Sequence, residues 1–414
     1  MSARRMNGSA RKLKLKLVSD APVARTFAAS PDAAAALEML RQVNARAPAG
    51  RPVQPGGRPL VLYGAGDLGR MAKAHLDLVG QPVAAVLDAN AAAYQDDPRW
   101  AGGPVLAPDA VPETMKRGAL MAIAIVTLPY VPLHQELVRQ GWASCAPFYD
   151  VAESFTAQHP LHNGWFAIPM DAEQLASAGG VMAGFADDAS RGHYLRFAAW
   201  RLGRQEWDFA DAPVVAADRF FIPEITAALR ADERFLDAGA YHGSVTARLL
   251  ELTEGAVSTV WAMEPDAASR AVLQAYVDGL DLNLRARVNV LDALIGARTE
   301  LVRFHDGLGY ASQIAPTGRT LRACAPLDAL GLDPTFIKLH LEGGELAALK
   351  GARETLRRRR PLLAATVYHD AAGLIETPQW LMANLPDYAF LMRTHNWCGT
   401  GAVLYAIPKE RMPS

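Results

Sequence analysis

The sequence is poor in cysteine: its 414 residues include only three, and they lie far apart, at Cys145, Cys324 and Cys398. Because no two of them form a Cys-x-x-Cys pair, the sequence does not predict a cysteine-ligated zinc site. A sparse and odd number of cysteines is typical of proteins that fold in a reducing compartment. We therefore expect a cytoplasmic protein.

Long hydrophobic runs are also missing. The most membrane-like stretch, ALMAIAIVTLPYVPL, is short and is interrupted by Pro129 and Pro132, so it predicts a buried strand rather than a membrane span. The first residues, MSARRMNGSARKLKLKL, are basic but lack the apolar segment of a secretory signal, and we expect them to form a loose tail. The sequence thus predicts no membrane partner.

Neither sign of charge is in excess, since the chain has 42 Lys and Arg residues and 43 Asp and Glu residues. A nucleic-acid-binding protein would favour a basic surface, so we expect no nucleic-acid partner. The chain is too long for one ordinary hydrophobic core, which predicts two domains with connecting segments. Its oligomeric state stays open, and a homo-oligomer is allowed.

Two stretches of the chain alternate predicted strands with predicted helices, which is typical of α/β domains with parallel sheets. The sequence divides into a basic tail, helix and linker (1–57), a Rossmann-like nucleotide-binding domain (58–155), a helical bridge (156–232) and a second α/β domain (233–414). The last two predicted strands, YAFLMRTH and GAVLYAIP, are joined by a short turn and must be antiparallel. The second sheet is therefore predicted to be parallel except for its last strand.

The first glycine turn, GAGDLG, follows a predicted strand and precedes a predicted helix. Gly64, Gly66 and Gly69 fit the G-x-G-x-x-G pattern, in which backbone N–H groups approach a pyrophosphate. Asp88 ends the next strand, near the spacing of an acid that binds ribose hydroxyls. The pattern predicts a nucleotide or NAD site, or glycines that only pack helix on strand. Through VLYGAGDLGR, AAVLD and GGPVLAPDAV the stretch also resembles the nucleotide-binding domain that precedes sugar acyltransferases, which implies a sugar-nucleotide or a structural role.

The second glycine turn, FLDAGAYHG, has an acid before its first glycine. Asp237 would repel a pyrophosphate but suits a ligand with a positive end, such as S-adenosylmethionine. Gly239 and Gly243 allow close backbone approach. Glu264, at the end of the next strand, is placed to accept ribose hydroxyls, and Asp292, at the end of the third strand, to accept the adenine amino group. Alternatively, each of these acids is a solvated residue at a strand end.

The second domain resembles the FkbM family of S-adenosylmethionine-dependent methyltransferases. The resemblance rests on FLDAGAYHGSVT, VWAMEPDA, GYASQI, IKLHLEGGELAALKGA, RRPLLAATVYH and GAVLYAIP, which appear in the family's order. It implies a seven-stranded sheet whose last strand is antiparallel, and methylation of a hydroxyl oxygen on a sugar or secondary metabolite. Ala240 and Pro265, which lie within these motifs, complete the predicted cofactor-binding residues together with Tyr241, which lies near the sulfonium or is a packing residue.

One position departs from the family pattern. Where the family has IK-x-D-x-EG-x-E, this chain has His340 in place of the aspartate, so the family's acidic role is not carried over. Lys338, His340 and Glu342 alternate along one predicted strand and share a face. Together with His369, at the end of another strand, they are the predicted catalytic residues. His340 is either a general base or a hydrogen-bonded bystander.

These strand ends raise the question of a metal. Two imidazoles with carboxylates could hold a divalent cation, the set being His340, Glu342, Glu345, His369 and Asp370. Because the dedicated spacings are absent, we interpret the set as a polar substrate pocket and predict no metal site. Two alternatives to methyl transfer stay open, a catalytically silent methyltransferase-like protein that binds a nucleotide and an NAD-linked oxidoreductase.

Overall fold

The computed structural model describes residues 22–47, 50–100 and 103–412. The basic segment that the sequence predicts to be a loose tail lies outside the described residues. The described chain begins with strand β1 (Val23–Phe27) and helix α1 (Ala33–Ala45). The carboxylate of Asp32 caps α1 by accepting a hydrogen bond from the backbone N–H of Ala35 at 2.8 Å.

The first large sheet has five parallel strands, in the order β4-β3-β2-β5-β6. Its strands are β2 (Leu60–Tyr63), β3 (Val83–Leu87), β4 (Val105–Leu106), β5 (Leu120–Ile123) and β6 (Cys145–Pro147). Its helices are α2 (Asp67–Leu78), α3 (Glu113–Gly118), α4 (Tyr130–Arg139) and α5 (Phe148–Ala152). Strands β2 and β5 are apolar and buried throughout, as expected of parallel strands that helices cover on both faces.

A layer of helices connects the two large sheets. It contains α6 (Ala172–Gly184), α7 (Asp188–Gly203), strand β7 (Gln205–Phe209) and α8 (Pro223–Ala228). Strand β7 pairs in parallel with β1, and α1 packs against α6 and α7. The sequence did not predict β1 or β7. Because β1 pairs with β7 and α1 packs against α6 and α7, the first described residues contact this layer.

The second large sheet has seven strands, in the order β10-β9-β8-β15-β16-β18-β17. They are β8 (Glu233–Ala238), β9 (Val257–Met263), β10 (Val288–Leu291), β15 (Phe336–Leu339), β16 (Leu362–Thr366), β17 (Tyr388–Thr394) and β18 (Ala402–Pro408). Strand β18 is antiparallel to both of its neighbours, whereas the other pairs are parallel. The predicted fold class, with its antiparallel last strand, is confirmed.

A smaller sheet that the sequence did not predict lies beside the seven-stranded one, in the order β11-β14-β12-β13. Its strands are β11 (Leu294–Ile295), β12 (Glu300–His305), β13 (Gln313–Ile314) and β14 (Thr320–Ala325). The helices of this half are α9 (Ser244–Leu252), α10 (Ala267–Asp278), α11 (Leu282–Arg285), α12 (Glu345–Lys350), α13 (Arg353–Arg359) and α14 (Glu376–Asn384).

The strand order of the large sheet reverses between β8 and β15. From β8 the chain continues outward through β9 and β10, whereas β15 leads to β16 on the other side. In open α/β sheets, ligands bind at the carboxyl ends of the strands beside such a switch point. The second glycine turn follows β8, and His340 follows β15 directly, so the fold brings both to this position.

Candidate active site

Gly239 lies directly against the end of the neighbouring strand. Its φ is +78°, and a Cβ at this position would overlap the carbonyl oxygen of His340. Only glycine fits both the backbone conformation and the close approach. Gly243, four residues later, packs instead against Leu273 and Tyr276 of α10. The turn is therefore fixed to β15 on one side and to α10 on the other.

Asp237 and Lys338 form a buried ion pair beneath this turn. Lys338 Nζ donates to Asp237 Oδ1 at 2.9 Å and to the carbonyl oxygen of Gly239 at 2.7 Å. The other carboxylate oxygen of Asp237 accepts a hydrogen bond from the Thr246 hydroxyl at 2.9 Å. Asp237 is fully buried and borders neither of the cavities described below. Its charge is thus compensated by lysine, and the structure places it where it supports the turn rather than facing a ligand.

Glu264 follows β9 and borders a small inner cavity beside the turn, together with Pro265. Its Oε2 accepts a hydrogen bond from the backbone N–H of Tyr241 at 2.7 Å, and its Oε1 accepts one from that of Asp266 at 2.8 Å. Burial raises the pKa of Glu264 to about 7. Each carboxylate oxygen keeps a further lone pair, so Glu264 can still accept two hydroxyl donors from a ligand.

Asp292 lies outside this cavity. Its carboxylate is half-exposed and pairs with Arg270 at 3.1 Å and with Arg322. The residues that follow Asp292 in the chain do face the cavity, where they form an apolar wall with residues of the smaller sheet: Ala293, Leu294, Ile295, Phe304 and Ile314. Asp292 is therefore not placed to accept the adenine amino group of the predicted cofactor, and the structure offers an apolar surface for the adenine ring instead.

Gln313 supplies a polar group in that wall which the sequence analysis missed. Its Nε2 donates to the carbonyl oxygens of Pro160 at 2.7 Å and Ala311 at 3.1 Å. Its Oε1 is buried and has no hydrogen-bond partner in the part of the chain that the structure describes. The residue lies within the GYASQI stretch, but only the fold shows that its carbonyl oxygen is unpaired.

Tyr241 separates the inner cavity from a larger cleft of about 860 Å³. Its backbone has a φ of +50°, which is uncommon for a residue other than glycine. The ring stacks on His242 with centroids 3.6 Å apart and meets the ring of Tyr310 edge-on at 5.9 Å. The two tyrosines border both spaces, so they are the side chains that a ligand reaching from cavity to cleft would contact.

The side chains of His340, Glu342 and His369 lie close together where the inner cavity meets the cleft. Glu342 Oε1 lies 3.0 Å from His340 Nε2 and 3.3 Å from His369 Nε2. Tyr368 contributes its hydroxyl, 3.1 Å from His340 Nε2. His340 and Glu342 border both the inner cavity and the cleft, whereas His369 is buried behind them. Of the four predicted catalytic residues, the structure brings these three together, and Lys338 lies at the cleft with its ammonium group turned to Asp237.

The electrostatics of the cluster give its members different charges. Burial lowers the pKa of His340 to about 4, so this imidazole is neutral near pH 7. Burial alone would also lower the pKa of His369, but the carboxylates of Glu342 and Glu345 outweigh it and raise that pKa well above its usual value. Despite burial, the charge of His369 holds the pKa of Glu345 at about 2 and that of Glu342 lower still.

The first glycine turn opens onto the same cleft from the opposite side. Gly64, Gly66 and Asp88 border it, facing Ala240 and Tyr241 of the second turn. The carboxylate of Asp88 accepts hydrogen bonds from the N–H groups of Ala65 and Asn90, both at 2.8 Å. Oδ2 thus holds the glycine turn through Ala65, whereas Oδ1 holds the loop that follows β3 through Asn90.

Two residues of the first turn, Gly69 and Asp67, bear on whether it can bind the phosphates of a nucleotide. Gly69 lies inside α2, where a Cβ would overlap the carbonyl oxygen of Gly64, so it packs the helix onto the strand. Asp67 is the first residue of α2 and borders the cleft. Its exposed carboxylate pairs with Arg70, so an acid stands at the positive end of the helix, which is the end that would bind a pyrophosphate.

Comparison with known proteins identifies the architecture. No protein-family model matches the sequence, and no curated protein matches it. The crystal structure of methyltransferase FkbM from Methylobacillus flagellatus KT aligns with a TM-score of 0.57 and 22% identity, over 90% of this chain and 98% of that one. The chain has the FkbM methyltransferase fold. A precorrin-6y C5,15-methyltransferase from Geobacter metallireducens GS-15 aligns only with a TM-score of 0.28 and 14% identity, over 48% of this chain and 93% of that one.

This methyltransferase fold is the one that the sequence resemblance implied, and the aligned region extends well beyond the seven-stranded sheet because it covers nine-tenths of the chain. The helices of the described ranges include none that is both long and apolar enough to cross a bilayer.

Arg219 is a further cleft residue that the sequence analysis did not single out. Its Nη2 donates to the hydroxyl of Tyr368 at 3.0 Å, and its Nε is buried without a partner among the described residues. It lies in the DRFFIP stretch, next to Phe220, which also borders the cleft. The cleft therefore presents a cation beside the hydrogen-bonded pair of Tyr368 and His340.

Proposed function

We propose that this protein is an S-adenosylmethionine-dependent methyltransferase that methylates a hydroxyl oxygen of a small molecule, such as a sugar or a secondary metabolite. The observation that carries the proposal is the buried Glu264 beside the Gly239 turn, at the switch point of a methyltransferase sheet. A carboxylate in this place suits the two hydroxyls of a ribose.

The residues of the inner cavity fit an adenosine. The unpaired Gln313 Oε1 would accept a hydrogen bond from the adenine amino group, and the apolar wall that includes Phe304 would contact the ring. Tyr241 and Tyr310 border both the inner cavity and the cleft. We therefore expect the part of the cofactor beyond the adenosine to extend past these two rings towards the cleft.

The acceptor would lie in the cleft, next to His340 and Glu342. Glu342 Oε2 is buried and has no hydrogen-bond partner among the described residues, so it can accept a hydrogen bond from the acceptor hydroxyl. The cofactor supplies an electrophilic methyl group on a positively charged sulfur. The protein's main contribution is to hold the acceptor oxygen close to that methyl and in line with the sulfur. As the new carbon–oxygen bond forms, the bond between the methyl carbon and the sulfur breaks, and the hydroxyl proton passes along its hydrogen bond to the Glu342 carboxylate and from there to solvent in the cleft.

The cofactor part of the proposal is tested by calorimetric titration with S-adenosylmethionine. We expect Glu264→Gln to weaken binding about 10-fold to 100-fold, because hydrogen bonds to a charged acceptor are lost. Asp292→Asn is the matched control: it also changes a strand-end acid, but one outside the cavity, and should leave affinity within about threefold. Equal effects of the two substitutions would contradict the placement of the cofactor.

The acceptor part is tested by incubating the protein and methyl-labelled cofactor with hydroxylated sugars and metabolite extracts. We expect label in a small-molecule product, identified by mass spectrometry as an O-methyl ether. Cofactor binding without transfer to any acceptor would support the silent methyltransferase-like alternative instead.

A further inference from the structure

We propose that His340, Glu342 and His369 form a binding site for a divalent transition-metal cation of the zinc class at the boundary of the cleft. The inference deepens the proposed function, because a cation at this position would bind the acceptor hydroxyl in its open coordination position. The sequence analysis predicted no metal site, and what changes this view is the convergence of the three side chains in space.

The spacing of the donor atoms fits a cation. One ligand atom from each of the three side chains lies within 4.8 Å of the others. Glu342 Oε1 is 3.0 Å from His340 Nε2 and 3.3 Å from His369 Nε2. Ligand atoms that surround a tetrahedral Zn²⁺ at 2.0–2.2 Å stand roughly 3.3 Å apart. Small side-chain rotations would therefore complete the coordination.

Two of the ligand atoms are buried and make no hydrogen bond among the described residues, although His369 Nε2 lies 3.3 Å from Glu342 Oε1. His369 Nε2 and Glu342 Oε2 make no hydrogen bond within the part of the chain that the structure describes, and their residues are 2% and 5% exposed. A buried polar atom that makes no hydrogen bond is unfavourable. A cation between these groups would satisfy both atoms at once.

Neighbouring residues hold His369 in the orientation that a metal ligand needs. Its Nδ1 lies 2.8 Å from Glu345 Oε1, which leaves Nε2 directed at Glu342. Glu345 is fixed in turn by the Thr366 hydroxyl at 2.6 Å and by the backbone N–H of Leu341 at 2.9 Å. Metal-binding histidines almost always have a carboxylate or carbonyl on their second nitrogen.

The backbone of Glu342 gives independent support. Its φ is +48°, a conformation that is uncommon for a side chain of this size. Strained backbone of this kind is concentrated at functional sites. In this conformation the carboxylate lies within 3.3 Å of both imidazoles.

The donor set favours a transition metal over magnesium. Imidazole nitrogens suit Zn²⁺, Fe²⁺, Co²⁺ and Ni²⁺, whereas Mg²⁺ prefers oxygen ligands. Two histidines and one carboxylate leave at least one coordination position free. His340 and Glu342 border the cleft and His369 does not, so the free position faces the cleft. A hydroxyl bound there would be more acidic than in water.

The test uses the full-length protein, stripped of metal with a chelator and titrated with Co²⁺ and Zn²⁺. We expect one equivalent to bind, with visible absorption bands of Co²⁺ in a four- or five-coordinate nitrogen and oxygen site. His340→Ala and His369→Gln should each weaken Zn²⁺ binding by about 100-fold or more. His242→Ala is the matched control, because His242 stacks on Tyr241 near the cleft but lies outside the cluster.

Circular dichroism would establish that each variant is folded. Absence of Co²⁺ bands in the folded wild-type protein, or Zn²⁺ affinity unchanged in both cluster variants, would overturn the proposal. Calorimetry with S-adenosylmethionine on the metal-free protein separates this proposal from the proposed function. Cofactor binding without metal binding would contradict only the proposed metal site. Metal binding without cofactor binding would contradict only the proposed methyltransferase function.

Discussion

Glu264 is a carboxylate under two opposing influences. Burial disfavours its charged form, whereas the N–H groups of Tyr241 and Asp266 favour that form, and burial dominates because the pKa is raised to about 7. An acid whose pKa is raised in the folded state binds protons more tightly when folded. Its contribution to stability therefore decreases as the pH rises from about 4.5 to about 7.

Cofactor binding should depend on pH in the opposite direction. In the proposed complex the ribose hydroxyls would donate to the carboxylate, so Glu264 would have to lose its proton before S-adenosylmethionine binds. We expect the affinity to be constant above pH 7 and to fall by about tenfold for each pH unit below it. Calorimetric titrations between pH 5.5 and 8.5 would measure this, with Glu264→Gln as a variant in which the slope disappears. The same slope in that variant would assign the pH dependence to another group.

The acids at the strand ends show what can be predicted for single residues. The sequence placed Asp237, Glu264 and Asp292 at the ends of successive strands, and the structure agrees on all three positions. It differs on where the carboxylates point, because Lys338 pairs with Asp237 and two arginines pair with Asp292. These partners lie far away in the sequence, so the chain's local pattern carries no information about them.

At the scale of elements, both glycine turns were predicted with the strand before and the helix after each of them. Several of the missed elements are short or pair with distant partners, although β12 and β14, which have six residues each and pair with each other, were missed as well. Strand β4 has only two residues, and β1 pairs with β7, which lies about 180 residues later in the chain. Local periodicity indicates a strand only when several residues alternate or are buried together, and it cannot identify a pairing across such a separation.

The second and third glycines of the first turn, Gly66 and Gly69, should respond differently to the same substitution. Gly69→Ala places a Cβ onto the carbonyl oxygen of Gly64, and backbone cannot move away easily, so we expect a loss of roughly 3 kcal/mol in the free energy of unfolding. Gly66→Ala meets no atom within 4 Å and keeps an ordinary φ of −71°, so it should cost less than about 1 kcal/mol. Urea denaturation measures both values.

Because Gly66→Ala should leave the protein folded, it also reports on ligand binding by the first turn. A nucleotide whose phosphates approach this backbone would bind the variant more weakly, whereas a turn that only packs helix on strand would show no change. Equal destabilisation by the two glycine substitutions would contradict the packing role of Gly69.

At the scale of the whole molecule, buried polar contacts join the five-stranded sheet to the layer of helices. Glu206 of β7 accepts hydrogen bonds from the N–H groups of Tyr130 and Val131, at the start of α4. Arg204, at the end of α7, pairs with Asp150 of α5 at 2.9 Å. The sequence predicted two α/β domains, but not that such contacts would bring both glycine turns to one cleft.

Breaking one of these contacts should loosen the first sheet from the rest. Arg204→Ala leaves the buried Asp150 carboxylate without its cation, and we expect a loss of about 3 kcal/mol in stability. The matched control, Arg139→Ala, removes an exposed pair with Glu136 and should cost less than about 1 kcal/mol. In calorimetry, the first variant should lower the melting temperature and unfold the five-stranded sheet in a separate, earlier transition. A single transition shifted equally in both variants would mean that the Arg204 pair contributes no more than a surface pair, and that apolar packing alone holds the cleft together.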